Sequence, residues 1–422
     1  MQGFFQLIST AEFLGLLDRF PPLATERVPL ARGLGRILAD EVTSPEALPP
    51  FARATMDGFA VRARDTFGCS DSEPALLTIA GEIAMGRAGS ELALLPGQAA
   101  TIWTGGALPS QADSVVMVEY SHRLDERTVE IQRPVAPGDN VIREGEDYAH
   151  DAVVLRRGHQ LRPQDLGVLA GIGITSVAVH RRPRVAIIST GDELIPPERQ
   201  PAPGQIRDIN STTLAALVEE CGGEAVALGI TSDSPEELSE ACRKALALPA
   251  DAVLLSGGSS VGRRDFTLEV FARLEHTEVL AHGVSIRPGK PTILARRDNI
   301  AFFGLPGHVG SAIVVFHLLV RPLLRRLAGA ADDGLRRIRA VTSEQIPSVV
   351  GREDYVRVAL HQEDAPRRVT ATPVYGKSGL LNPLVRADGL LIIKRDTEGL
   401  DEGEEAEVLL FPGHHPAGLA TY

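Results

Sequence analysis

Between Arg184 and about Gly329, short apolar runs alternate with amphipathic stretches, and this alternation restricts the fold more than any other feature of the chain. Strand-like runs at Val185–Ile188, Ala225–Ile230 and Ala252–Leu255, with others near Thr292 and Ala301, are separated by helical patterns over Thr212–Glu220, Glu236–Leu246 and Thr267–Leu274. A last helix is expected over Gly310–Leu327. Strands alternating with helices imply a doubly wound α/β unit, a parallel sheet covered on both faces. Helix ends are marked as well. Asn210 reads as an N-cap and Gly222 as a stop, and Ser234-Pro235-Glu236-Glu237 combines a capping box with proline at the first helical position.

The flanks have a different character, and 422 residues exceed one ordinary domain of about 100 to 200 residues. Helical periodicity at Phe13-Leu14-Leu16-Leu17 and again around Leu30 to Leu38 is broken by Pro21-Pro22. From Pro49 to Val141 the runs Leu76–Ile79, Ala100–Trp103, Ser114–Val118 and Thr128–Ile131 lie between Gly, Pro and Asp turns, which describes a small β domain. The Gly-rich segment Leu166–Ile174 is expected beside the first helices. After residue 331, β runs return at Asp354–Val358, Arg368–Thr372, Leu390–Ile393 and Glu405–Leu410. The expected units are 1–48 with 144–180 (helical/β), 49–143 (inserted β), 181–330 (α/β) and 331–422 (C-terminal β).

A formal charge of −12 argues against a chain whose main partner is nucleic acid or an anionic membrane, since both need a positive field. A small anion in a local pocket stays compatible with it. Cys69, Cys221 and Cys242 have no metal-ligand spacing, so neither a zinc site nor a disulfide framework is expected, and a reducing cytoplasm fits. The N-terminus lacks a basic start and a cleavage site and reads as an amphipathic helix. The apolar stretch Ile300–Val320 is split by Pro306-Gly307 and reads as strand, loop and buried helix, with no membrane span.

In an open parallel sheet, ligands bind beyond the carboxyl ends of the strands. Three loops qualify: Ser189-Thr190-Gly191-Asp192-Glu193, Ser256 to Asp265, and Gly304-Leu305-Pro306-Gly307-His308. Their glycines let backbone approach a ligand, and Gly257-Gly258-Ser259-Ser260 offers N–H and hydroxyl donors for a phosphate. The G-K-[ST] ending of a P-loop is missing, and singly each loop also reads as a surface turn. Only Lys244, Lys290, Lys377 and Lys394 are lysines, and Arg287-Pro288-Gly289-Lys290-Pro291 sets two cations in a Pro-bounded loop suited to an oxyanion. Lys377-Ser378-Gly379 is a second donor cluster. No Ser-His-Asp elbow, H-E-x-x-H or dinucleotide fingerprint occurs, so hydrolase and hydride-transfer readings lose ground.

The ordered series PPFARATMDGFAVR, IWTGGALP, GDNVIREGEDY, VAIISTGDEL, GQIRDINS, LLSGGSSVGRRDF, IRPGKP and FFGLPGHVGSA closely resembles the molybdopterin molybdotransferase family, MoeA and the C-terminal domain of gephyrin, over nearly the whole chain. The resemblance implies an elongated homodimer of four domains: helical/β, inserted β, molybdopterin-binding α/β, and C-terminal β-barrel. It implies insertion of molybdenum from molybdate into adenylylated molybdopterin, with Mg²⁺-dependent loss of AMP. Asp57, Thr104, Asp147, Glu193, Asp233 and Asp265 stand at the family's functional positions, Glu193 and Asp265 nearest the metal, with Asp57 and Thr104 presented from the other subunit. Ser256, Gly257, Gly258, Ser259, Arg287, Lys290, Pro306, Lys377 and Ser378 would hold the pterin phosphate and oxyanion. Implied partners are a molybdopterin adenylyltransferase and apo-molybdoenzymes or their chaperones. Two departures stand out: Arg287 replaces the first lysine of the K-P-G-K-P loop, and Val309 replaces a second proline after Pro306-Gly307-His308. The competing readings are the preceding adenylylation step and a non-enzymatic peptide-binding scaffold.

Overall fold

The structure, a computed structural model, describes residues 6–257, 266–363 and 368–413. Its central unit runs β1 (Arg184–Thr190), α1 (Asn210–Glu220), β2 (Glu224–Thr231), α2 (Pro235–Ala247), β3 (Ala252–Ser256), α3 (Phe266–Arg273), β4 (Thr277–His282), β5 (Ile293–Arg297), β6 (Ile300–Leu305), α4 (Val309–Val315) and α5 (Arg321–Leu327). The strands form one sheet in the order β2-β1-β3-β6-β5-β4. The first four are parallel, and β5 runs antiparallel between β6 and β4.

Side chains alternate across this sheet as a strand requires. Val185, Ile187, Leu254 and Phe303 face one core with Leu214 and Val218 of α1, while Ala186, Ile188, Val253, Leu255 and Phe302 face another with Leu238 of α2 and Phe271 of α3. Burial on both faces explains why these strands are uninterrupted apolar runs. Ser234 caps α2 by accepting from the Glu237 N–H, and Gly222 adopts φ +83° just past α1, as expected, but the expected capping box is incomplete because the Glu237 carboxylate accepts from the Ser232 N–H. The apolar stretch from Ile300 is strand, loop and buried helix, α4 and α5 being joined by a π-helical turn at Phe316–Val320. Among the described residues no helix is long and apolar enough to cross a membrane.

The inserted residues form a six-stranded sheet in the order Ser114–Met117, Gly58–Val61, Gln98–Ile102, Ala75–Ile83, Thr128–Ile131, Ser121–Arg123, with a core on each face. At the C-terminal end, Glu353–Glu363 pairs with Arg368–Pro373 and Gly389–Ile393, and Arg337–Thr342 and Glu405–Leu410 complete the ring. Such closure leaves no free edge and makes a five-stranded barrel around Val358, Leu360, Leu391 and Val408.

Two local expectations give way. The second N-terminal helix is only a 3-10 turn, Leu30–Arg32, because the preceding Thr25–Pro29 is drawn into an antiparallel ribbon with Ser176–His180 and Gly35 turns the chain at φ +72°. The Gly-rich segment is a helix, Pro163–Gly171, but Leu169 packs with Val28 and Val179 of that ribbon and with Leu38. The N-terminal helix Thr10–Leu16 lies elsewhere, with Phe13 in the α/β core and a Ser9–Glu12 capping box. The three cysteines are free, and burial pushes the Cys221 and Cys242 thiols up to about 11 and about 12, which removes them as thiolate nucleophiles.

Leu254 is wholly buried in the central strand, so Leu254→Ala should cost about 3 kcal/mol and lower the midpoint of thermal unfolding followed by circular dichroism. An unchanged midpoint would contradict the placement of β3 between two cores.

Candidate functional site

Parallel register sets the geometry of the site. Ser189 of β1 lies level with Ser256 of β3, and Ser256 with Leu305 of β6, so the three loops leave the sheet at one height. β5 is antiparallel, so Ile293 at its start pairs with Gly304, and the Arg287–Pro291 loop just before it emerges at the same end. These loops meet at Gly257. Its φ is +113°, a Cβ there would stand 2.2 Å from the Thr190 carbonyl oxygen, and its N–H reaches Leu305 O at 3.3 Å. Only glycine permits that approach.

Acidic and hydroxyl groups brace the first loop. The Thr190 hydroxyl donates to Asp233 Oδ1 at 2.6 Å, and the Asp233 N–H reaches Asp192 Oδ1 at 3.2 Å. Asp208, buried, accepts from the Ser211 N–H and hydroxyl and so caps α1. Asn210, expected as the cap, does something else: its amide nitrogen reaches Ser256 Oγ at 2.6 Å and Gly307 O at 2.8 Å. The exposed Glu193 carboxylate makes no hydrogen bond or ion pair among the described residues, so its oxygens are open to a cation.

The C-terminal barrel closes the other side. The Gly310 N–H donates to Ser378 O at 3.0 Å, and Gly379 lies against His308, which brings Lys377 and Ser378 to the start of α4. Arg357 arrives with them. Its Nη2 donates to Gly376 O at 2.7 Å, while Nη1 is buried without a partner among the described residues, beside Gly310. Burial pushes this guanidinium below its ordinary value, and a charged donor so placed favours an anion. Sequence reasoning missed Arg357, because a single arginine in an alternating strand looks like any solvent-facing residue. A cavity of about 460 Å³, lined by none of the three glycine loops, lies between Leu7, Arg287, Lys290, Val350 and Arg352. Buried Asp354 holds Arg352 at 2.8 Å and Arg287 at 3.5 Å, so Arg287 is tethered at the cavity's edge. Pro306 is buried, and Val309 is the first residue of α4, a position that proline also suits.

Other predicted residues stand apart. On the inserted domain, the Thr104 N–H and hydroxyl both donate to Asp57 Oδ1 at 2.7 Å. Asp147 is exposed at the edge of the helical/β unit, its N–H bonded to Leu48 O. Among the described residues, no hydrogen bond or ion pair joins Asp57, Thr104 or Asp147 to the three α/β loops. Gly258, Ser259 and Asp265 lie outside the described residues. Among those described, no three His, Cys, Asp or Glu side chains are grouped to hold a metal ion.

Three glycine loops and a barrel loop thus meet at the carboxyl end of the parallel strands of a multidomain protein. Family models agree. The MoeA N-terminal region (domains I and II) matches residues 8–173, a probable molybdopterin binding domain matches 186–326, and the MoeA C-terminal region (domain IV) matches 339–411. The chain is 35% identical to the molybdopterin molybdenumtransferase of Nostoc sp. over 92% of its length and 89% of that protein's, and 33% identical to that of Bacillus subtilis over 92% and 90%. It is similar in structure to the molybdopterin biosynthesis MoeA protein of Pyrococcus horikoshii, with a TM-score of 0.81 and 33% identity over 96% of this chain and all of that one. The chain belongs to the MoeA family.

Asp57 is held below the ordinary aspartate value by the backbone N–H of Thr104 and then by its hydroxyl. A depressed carboxyl stabilises the fold above its unfolded-state range and loses that contribution as pH falls through its folded value. NMR titration should therefore place the Asp57 midpoint below that of an ordinary aspartate, and Thr104→Val should move it up. An unshifted midpoint in the variant would show that the hydroxyl contact is not made in solution.

Proposed function

We propose that the chain is a molybdopterin molybdenumtransferase that inserts molybdenum from molybdate into adenylylated molybdopterin and releases AMP, in molybdenum cofactor biosynthesis. Supporting this reading are its membership of the MoeA family and, above all, the convergence of the Thr190, Gly257 and Gly307 loops with the Arg357–Ser378 edge of the barrel. The loop that opens with Gly257, whose own N–H is held by Leu305 O, receives the terminal phosphate of the pterin. Arg357 Nη1 and the cations Arg287 and Lys290 hold the second anion, while Lys377 and Ser378 close over it.

Glu193, with Asp265, would ligate Mg²⁺ through hard carboxylate oxygens, and the open Glu193 carboxylate fits that role. When bound, the ion neutralises charge on the phosphoanhydride as its P–O bond breaks. Asp233 keeps the Thr190 loop in place, and Asp57, Thr104 and Asp147 complete the site from the inserted and helical/β domains of a second copy in a homodimer. A molybdopterin adenylyltransferase supplies the substrate, apo-molybdoenzymes or their chaperones take the product, and the setting is the cytoplasm.

Incubating the purified chain with adenylylated molybdopterin, molybdate and Mg²⁺ should release AMP and restore activity to an apo-molybdoenzyme, and EDTA should stop it. Arg357→Gln removes a charge-assisted donor and should weaken turnover about tenfold to a hundredfold at subsaturating molybdate. No AMP release by the unaltered chain at saturating substrates would sink the proposal.

A further inference from the structure

Asn210 is an unusual first residue for a helix, because its side chain turns away from its own helix. Asp208 occupies the capping role, bonding the Ser211 N–H at 3.1 Å, which leaves the Asn210 amide for other work. The amide nitrogen reaches two loops that belong to different strands: Ser256 Oγ at the end of β3 and the Gly307 carbonyl after β6. A backbone carbonyl only accepts, so the amide NH₂ faces Gly307, and its second hydrogen is directed to the Ser256 hydroxyl. Ser256 itself is 1% exposed. Its hydroxyl is thus an internal strut, and not a group that reaches a ligand in the open cleft.

What this bridge controls is backbone orientation. A trans peptide places its C=O and the next N–H on opposite sides. A hydrogen bond to Gly307 O therefore sets the direction of the His308 N–H, at the loop that Gly379 of the barrel packs against. At the other anchor, Ser256 immediately precedes Gly257, whose backbone is wedged against Thr190 O and lies 3.5 Å from a Cβ built on Gly307. One amide thereby fixes the β3 loop and the β6 loop relative to each other, from a helix whose neighbour Ser211 also touches Ser189 of β1 at 2.9 Å.

We propose that Asn210 is a positioning residue for the transferase reaction: it locks the Ser256–Gly257 and Gly307–His308 backbones into the orientation that receives the pterin phosphate, and acts through them without touching substrate. This rests on the function proposed above. Loops that carry substrate contacts must be held within a fraction of an ångström, because a displacement of about 1 Å costs on the order of a hundredfold in rate.

The test compares Asn210→Asp, Ser256→Ala and the double variant in the full chain, with AMP release from adenylylated molybdopterin at saturating molybdate and Mg²⁺ as the readout. Rates are normalised to folded protein by circular dichroism. Asn210→Asp keeps the shape of the side chain and its place in the helix but replaces both donors by acceptors. It should lower kcat/KM at least tenfold per folded molecule. Ser256→Ala should lower it less, and the double variant should match Asn210→Asp within about twofold, because both changes break one link. Where Asn210→Asp does not fold, Asn210→Ser, too short to span both loops, carries the same expectations. Losses that multiply in the double variant, or kcat/KM within twofold of the parent in the Asn210 variant, overturn the positioning role while leaving the transferase reading intact. No AMP release by the parent chain overturns both.

Discussion

The structure depends on a parallel register that sets Ser189, Ser256 and Leu305 at one height. Hydrogen bonding between β1, β3 and β6 is satisfied inside a sheet buried on both faces, and the only places where backbone is released from the ladder are the ends. At the carboxyl end that release occurs three times, in neighbouring strands. Gly257 makes the crowding tolerable, since any side chain there would collide with the Thr190 carbonyl. A meeting point of three backbone loops follows from this packing before any charged side chain is added.

Charge enters from outside the sheet. The chain carries a net −12, yet a polyanionic ligand suits it because cations are placed locally and braced. Asp354, buried, holds Arg352 and tethers Arg287, and Arg357 spends one arm on Gly376 O and leaves the other without a partner among the described residues, beside Gly310. Those residues sit on the barrel or on the loop before β5. Thr10 and Tyr355, both bonded to Glu353, tie the N-terminal helix to the barrel. The inserted domain contributes Asp57 and Thr104 on a surface of its own, which is why a second copy is part of the proposed site.

Much of the fold was legible in the residues. Alternation named five of the six strands of the α/β unit and missed the edge strand Thr277–His282, Ser234 and Gly222 marked helix ends, and the β runs of both flanking units fell where turns bounded them. Periodicity around Leu30 to Leu38 misled, because the partner that pulls Thr25–Pro29 into a ribbon lies about 150 residues away, beyond the reach of any local pattern. Of the site, the three glycine loops and the Arg287–Lys290 loop could be named in advance. Arg357 could not. Asn210 was misread as a helix cap, a role its residue type fits, because Asp208 stands two residues earlier and bonds the Ser211 N–H first.

Sequence by itself determined most of the strands and helices of the α/β unit and which loops carry glycine, acid and cation, since those follow from periodicity, caps and backbone permissiveness within a few residues. Tertiary structure decided which of them meet. Register between strands separated by whole helices and loops, closure of the barrel and the side-chain bridge from α1 to two loops all depend on contacts between segments distant in the chain. No local preference encodes the distance between Ser256, Gly307 and Ser378.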